Sequence, residues 1–292
     1  ESGFLLAQRV TNRHNKKHLK GRVMALTLAI ANQKGGVGKT TIATQIAFDL
    51  ALRRGKKVLY IDMDAQGNGT TVLKKGADIE GSEAHDLFDT SLDIVEPQPS
   101  NYPGIDIIPT KSNSVISYSL EGLSDECIRD PRMQLDKIRD RYDIIVIDCP
   151  PNLGIKLKAS LTMADAVLCP IRLCGFSVEG LDGLLSTIDE IQQVNNPDLI
   201  LAGVLINAFD NSVTQKAVLE HIQQTLQGIV MENVVRNRTP LDTANTYGIP
   251  VWEVPSAYRA VEELTQTFDE VYKKAGIGVT KVKQNKKKVA KK

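Results

Sequence analysis

The sequence predicts an α/β protein with a single doubly wound, mostly parallel sheet and helices on both faces. Three observations carry this. Short apolar stretches alternate with helical patterns along residues 24–274, the order that right-handed β-α-β units require. The run Ile144-Ile145-Val146-Ile147 is apolar throughout, as a strand buried on both faces must be. With 292 residues the chain can bury a large core without disulfide or metal staples.

The elements follow in order. Residues 26–31 read as a short strand ending in a glycine-rich turn, and 41–54 as a helix closed by Gly55. Residues 57–61 form the next strand and end at Asp62. Residues 93–104 hold Pro97, Pro99, Pro103 and Gly104 and read as loop, followed by a strand over 105–108. A buried strand over 142–147 ends at Asp148, and another over 166–170 follows a helix. Helix 178–194, strand 199–206 and helix 213–227 come next. Val261, Leu264, Phe268 and Val271 mark a last helix over 256–274.

Composition excludes several classes. Hydrophobic content of 42% and charged content of 24% fit a globular chain, not a fibrous or disordered one. The apolar stretch 24–31 is far too short to cross a bilayer. Cys127, Cys149, Cys169 and Cys174 form no CxxC pair and are expected as buried small hydrophobes. The four histidines show no ligand spacing.

The net charge of +1 conceals an asymmetry. Residues 1–22 sum to +5 and residues 273–292 to +9, leaving −13 for the body. Three units are expected: a mobile basic arm over 1–23, ahead of a natural start at Met24; a folded domain over 24–274; and a flexible Lys-rich tail over 275–292. Basic ends on an acidic body suit an anionic polymer or surface as partner.

The sharpest motif is Lys34-Gly35-Gly36-Val37-Gly38-Lys39-Thr40, placed between a strand and a helix. In that context glycines let backbone N–H groups surround phosphate oxygens, and the helix N-terminus favours negative charge. Lys39 is expected to reach the β- and γ-phosphates of a nucleotide, and Thr40 to offer a hydroxyl to Mg²⁺. Asp62 and Asp148 both end strands, at the face where open α/β sheets bind ligands, and are expected to hold Mg²⁺ through water. Asp64 lies two residues further on, free to face an attacking water.

Gln33 stands where an ordinary phosphate loop has glycine, and Lys34 is extra. With this substitution the motif resembles that of the deviant Walker A ATPases, the ParA/Soj/MinD family of P-loop NTPases. The resemblance extends from Met24 to about Lys274. Asp62-Met63-Asp64-Ala65-Gln66-Gly67-Asn68 is similar to the family's switch I, with Ala65 in place of proline. Asp148-Cys149-Pro150-Pro151 is similar to its Walker B and switch II, and Gly203-Val204-Leu205-Ile206-Asn207 to a late strand whose asparagine meets adenine.

The resemblance implies a Mg²⁺-dependent ATPase. Lys34, Lys39 and Asp64 would be catalytic, Lys34 reaching across an ATP-sandwich dimer and Asp64 directing water. Gly35, Gly36, Val37, Gly38, Lys39, Thr40, Thr41, Asp148 and Asn207 would hold ATP. Thr40, Asp62 and Asp148 would serve the metal. Three roles share such an engine: DNA partition, MinD-like positioning on a membrane, and metal-cluster carriage. Residues 281–292 lack the apolar face of a membrane helix, and paired cysteines are absent. Partition is therefore the expected role, in the short form without a helix-turn-helix domain, cytoplasmic and on the bacterial nucleoid. Expected partners are a second copy of the chain, non-specific DNA and a ParB-like centromere-binding protein, with no membrane. Lys216, Arg236, Arg238 and the lysines of 281–292 are the candidate DNA contacts.

Overall fold

The computed structural model describes residues 3–12, 25–173, 177–226 and 228–280. Helix α1 (Gly3–Asn12) precedes strand β1 (Leu26–Ile30), and α2 (Lys39–Phe48) leads to β2 (Val58–Asp62) and α3 (Asn68–Lys74). A two-residue β3 (Gln98–Pro99), β4 (Ile105–Ile108), α4 (Val115–Ser119) and α5 (Asp130–Asp136) come before β5 (Ile144–Asp148). Next are α6 (Ile155–Met163), β6 (Ala166–Arg172), α7 (Ser177–Val194) and β7 (Ile200–Asn207). Helices α8 (Val213–Thr225), α9 (Thr239–Tyr247) and α10 (Tyr258–Ala275) complete the described chain.

The strands form one seven-stranded sheet in the order β3-β4-β2-β5-β1-β6-β7. Every pairing is parallel except that of β3 with β4. The segment expected as loop over 93–104 thus contributes a minimal antiparallel edge at Gln98 and Pro99. Register does the work of assembling a site. Asp62 pairs with Asp148, and Asp148 with Ile30, so two carboxylates and the start of the glycine loop share one end of the sheet.

Side chains alternate across the strands. Ala29, Ile61, Ile145 and Ile147 face a core closed by Leu157 and Leu161 of α6 and Leu184 and Ile188 of α7. Leu28, Ile30, Tyr60 and Val146 face the other core, closed by Ile42 and Ile46 of α2 and Leu264 and Phe268 of α10. Both faces of the sheet are therefore covered, as the sequence predicts for a doubly wound fold.

Two expectations are corrected. Within the arm expected over residues 1–23, only residues 3–12 are described, and these are helical and docked. They form α1, whose Ala7 and Val10 are buried against the first core, and buried Gln192 of α7 donates to the Val10 carbonyl at 3.2 Å. The helix expected over 41–54 runs as α helix only to Phe48 and then widens into π turns over Asp49–Arg53. There the buried Asp49 carboxylate accepts from Arg53 at 2.8 Å, Arg54 at 2.5 Å and the Tyr272 hydroxyl at 3.0 Å. That cluster fastens the end of α2 to α10. Cys149 and Cys169 are buried as expected, and Cys127 is half-buried; Cys174 and the lysines of 281–292 lie outside the described residues.

Candidate nucleotide site

The glycine loop joins β1 to α2. Gly36 and Gly38 adopt positive φ of 72° and 93°, a conformation that side chains resist. A Cβ on Gly38 would lie 2.2 Å from Nδ2 of Asn207, so only glycine fits. The entry to the loop is fixed by Asn32, which donates to the Pro170 carbonyl at 2.7 Å and accepts from the Lys34 amide at 2.8 Å. The buried Lys39 ammonium folds back onto the Lys34 carbonyl at 3.2 Å. Burial lowers the Lys39 pKa, while the charges of Asp148 and Asp64 pull it upward. Lys39 thus sits as a poorly hydrated cation inside the loop, an arrangement that favours an incoming polyanion.

The carboxylates divide their tasks. Both are fully buried, and that burial raises the pKa of each. Tyr60 donates to Oδ2 of Asp148 at 3.1 Å, but Oδ1 is buried with no hydrogen-bond partner. The Lys39 ammonium and Thr40 hydroxyl nearby draw the Asp148 pKa back down. An orphaned carboxylate oxygen beside a threonine hydroxyl suits a hydrated Mg²⁺, which prefers few protein ligands and several waters. Asp62 is more fully bonded. Its Oδ2 accepts from both the amide and hydroxyl of Thr70, at 2.7 and 2.8 Å, and its Oδ1 accepts from the Asp64 amide at 3.3 Å. These bonds tie Asp62 to the loop and to α3, while Asp148 keeps one oxygen without a partner.

Asp64 is half-buried and its Oδ1 accepts from the Gln66 amide at 3.0 Å. It lines a cleft of about 630 Å³ together with Gly35, Gly36, Gly38, Lys39, Thr40 and Thr41. The far wall includes Asn207, Arg236 and Arg238. Asn207 donates to the Val37 carbonyl at 2.7 Å, while its own buried Oδ1 has no partner and can accept from a purine amino group. Thr41 donates to Asn245 of α9 at 3.2 Å, joining the two walls. Lys34 is half-buried at the mouth of the loop.

Among the described residues, the candidate DNA contacts lie on α8 and beside α10. Lys216 is exposed on α8 and is not among the residues lining the cleft. Arg236 is exposed and Arg238 half-buried. Both guanidiniums bond Oε2 of Glu263 on α10, at 3.0 and 3.1 Å, and that carboxylate offsets one of their two charges.

Three contributors escaped the sequence reading. Tyr60 lies within a wholly buried strand, so its pattern reads as core; the clue was that a buried tyrosine hydroxyl needs a partner. Thr70 reaches Asp62 across eight residues, and Thr110 donates to the Asp62 carbonyl at 2.6 Å across forty-eight. No local spacing announces such contacts.

Comparison with known proteins places this geometry among relatives. The AAA domain family model AAA_31 matches residues 25–201. The sporulation initiation inhibitor protein Soj of Bacillus subtilis is 32% identical over 237 residues, covering 78% of this chain and 90% of Soj. The chromosome partitioning protein ParA of Caulobacter vibrioides is 34% identical over 230 residues, covering 77% of this chain and 85% of ParA. Among solved structures, an ATP complex of Cyanothece McdA superposes with a TM-score of 0.76 at 20% identity, covering 87% of this chain and 97% of McdA. With that family match, these identities over most of both chains, and the glycine and switch loops lining one cleft, the chain belongs to the ParA/Soj/MinD family of P-loop ATPases.

Proposed function

We propose that this chain is a partition ATPase that hydrolyses ATP with Mg²⁺, dimerises around ATP, and in that state binds DNA without sequence preference. The observation that carries it is the cleft in which buried Lys39, the glycine loop and half-buried Asp64 converge. Transfer of a phosphoryl group to water is mainly a matter of positioning and of neutralising oxygen charge. The loop amides and Lys39 hold the β- and γ-phosphates. Asp64 orients a water in line and receives its proton as the new P–O bond forms and the bond to ADP breaks. Thr40 and Asp148 would hold Mg²⁺, which supplies further neutralisation at the same oxygens. Asn207 meets the base. Lys34 acts on the partner's nucleotide in the dimer.

The partition role is supported by a relative whose name states it, the chromosome partitioning protein ParA, and by the separated basic ends. A ParB-like centromere-binding protein is the proposed activator of hydrolysis. The test pairs turnover with light scattering. Wild type should hydrolyse ATP slowly and dimerise with it, and hydrolysis should stop when the metal is chelated. Asp64→Ala should bind ATP and remain dimeric with turnover lost. An Asp64→Ala protein that turns ATP over normally contradicts the assignment.

A further inference from the structure

A buried lysine next to the site is used by none of these steps. Lys156, near the start of α6, is 3% exposed, and an ammonium so placed is costly unless it is paired. It donates to Oγ of Ser117 at 3.2 Å, lies 3.7 Å from Oε1 of Glu121, and sits 6.0 Å from the ring centroid of Tyr118. All three contacts lie on one segment, residues 114–122, which carries α4. That segment buries little of its own apolar surface: Val115 is 80% exposed and Ile116 56%. Both carboxylate oxygens of Glu121 are buried and accept no hydrogen bond, so the Lys156 charge is what balances them. Gly154 makes room for this pair, since a Cβ there would meet Oε2 of Glu121 at 1.8 Å.

The same segment, together with Ser112 just before it, grips the loop that carries Asp64. The Gln66 side-chain amide donates to the Tyr118 hydroxyl, and the Gln66 carbonyl accepts from Oγ of Ser112 at 2.7 Å. The Gln66 backbone amide donates to Oδ1 of Asp64. A continuous set of contacts therefore runs from Lys156 through Tyr118 and Gln66 to Asp64. We infer that Lys156 is a positioning residue for hydrolysis: by anchoring segment 114–122 it fixes Gln66, and through Gln66 the aim of Asp64 at the attacking water. Lys156 does not line the cleft, so it acts on turnover and not on nucleotide binding.

This rests on the ATPase reading, and the experiment separates the two. The full chain is compared as wild type, Tyr118→Phe, Lys156→Met/Glu121→Gln, and the triple variant. Tyr118 is nearly half exposed and its change should not unfold the protein; the double change removes both buried charges together. Steady-state ATP hydrolysis and backbone hydrogen exchange are measured on each. Tyr118→Phe and the double variant should each lower kcat about ten- to a hundredfold, the scale of a small misplacement, with KM for ATP nearly unchanged. The triple variant should be no worse than the more affected parent, because the residues act as one unit. Amides of residues 64–69 should exchange faster while those of β5 do not. Unchanged exchange at 64–69, or faster exchange with normal kcat, overturns the inference. So does a rise in KM alone. A wild type that hydrolyses no ATP, yet shows the predicted exchange differences, defeats the ATPase reading and leaves the coupling between the segment and the loop standing.

Discussion

At the scale of single residues, the site depends on backbone freedom and on one buried cation. Gly38→Ala should abolish ATP binding. Its φ of 93° is hostile to a side chain, and the added Cβ would displace the Asn207 amide that ties the loop to β7. Titration with a fluorescent ATP analogue checks this; micromolar binding by the variant contradicts the cradle. Lys39→Ala should also lose binding, since it removes the charge facing the phosphates. Thermal melting separates this from misfolding, because the variant should melt like the apo wild type and gain nothing from added ATP. These residues were legible because a phosphate loop is contiguous in sequence. Tyr60 and Thr70 were not, because their partners Asp148 and Asp62 are brought to them by strand register and by the turn into α3. Asp62 was legible as a strand-end carboxylate; the hydrogen bonds from Thr70 that hold it in place come from folding alone.

At the scale of elements, the joint between α2 and α10 holds the helix that presents the glycine loop. Asp49 is fully buried and balances Arg53 and Arg54, while Arg54 also bonds Asp269 of α10 at 2.7 Å. Asp49→Ala leaves two guanidiniums without their shared anion and should cost about 3–5 kcal/mol of stability. Urea unfolding measures it, and a loss below about 1 kcal/mol contradicts the joint's importance. Strands and long helices were legible from apolar period, usually within a residue or two at each end. Helix α3 was not, since it opens with Asn68 and Gly69, poor helix formers, and is started by the long-range bond from Thr70 to Asp62. Helix α1 was missed for a related reason. Among its described side chains the buried stripe is Ala7 and Val10, flanked by partly buried Leu6, too short a pattern to tell docking from a loose arm.

At the scale of the whole molecule, the acidic body and basic ends frame the proposed partnership with DNA. Pairing of Arg236 and Arg238 with Glu263 weakens the folded-surface candidate as a lone patch. Two copies brought together by ATP would double whatever phosphate contacts remain, and linked weak contacts multiply when both engage at once. The Lys-rich end should add a salt-sensitive part that does not depend on nucleotide. Deleting residues 281–292 should therefore lower DNA affinity in both nucleotide states and flatten its salt dependence, leaving the ATP-to-ADP difference in place. Filter binding across a salt series reads both effects. The central claim is tested most directly by co-sedimentation of the intact chain with plain duplex DNA and, separately, with anionic liposomes, each with ATP and with ADP. The account predicts that DNA carries the protein down strongly with ATP and weakly with ADP, while liposomes show no dependence on nucleotide. ATP-dependent recovery with liposomes, and equal recovery with DNA in both states, would contradict it.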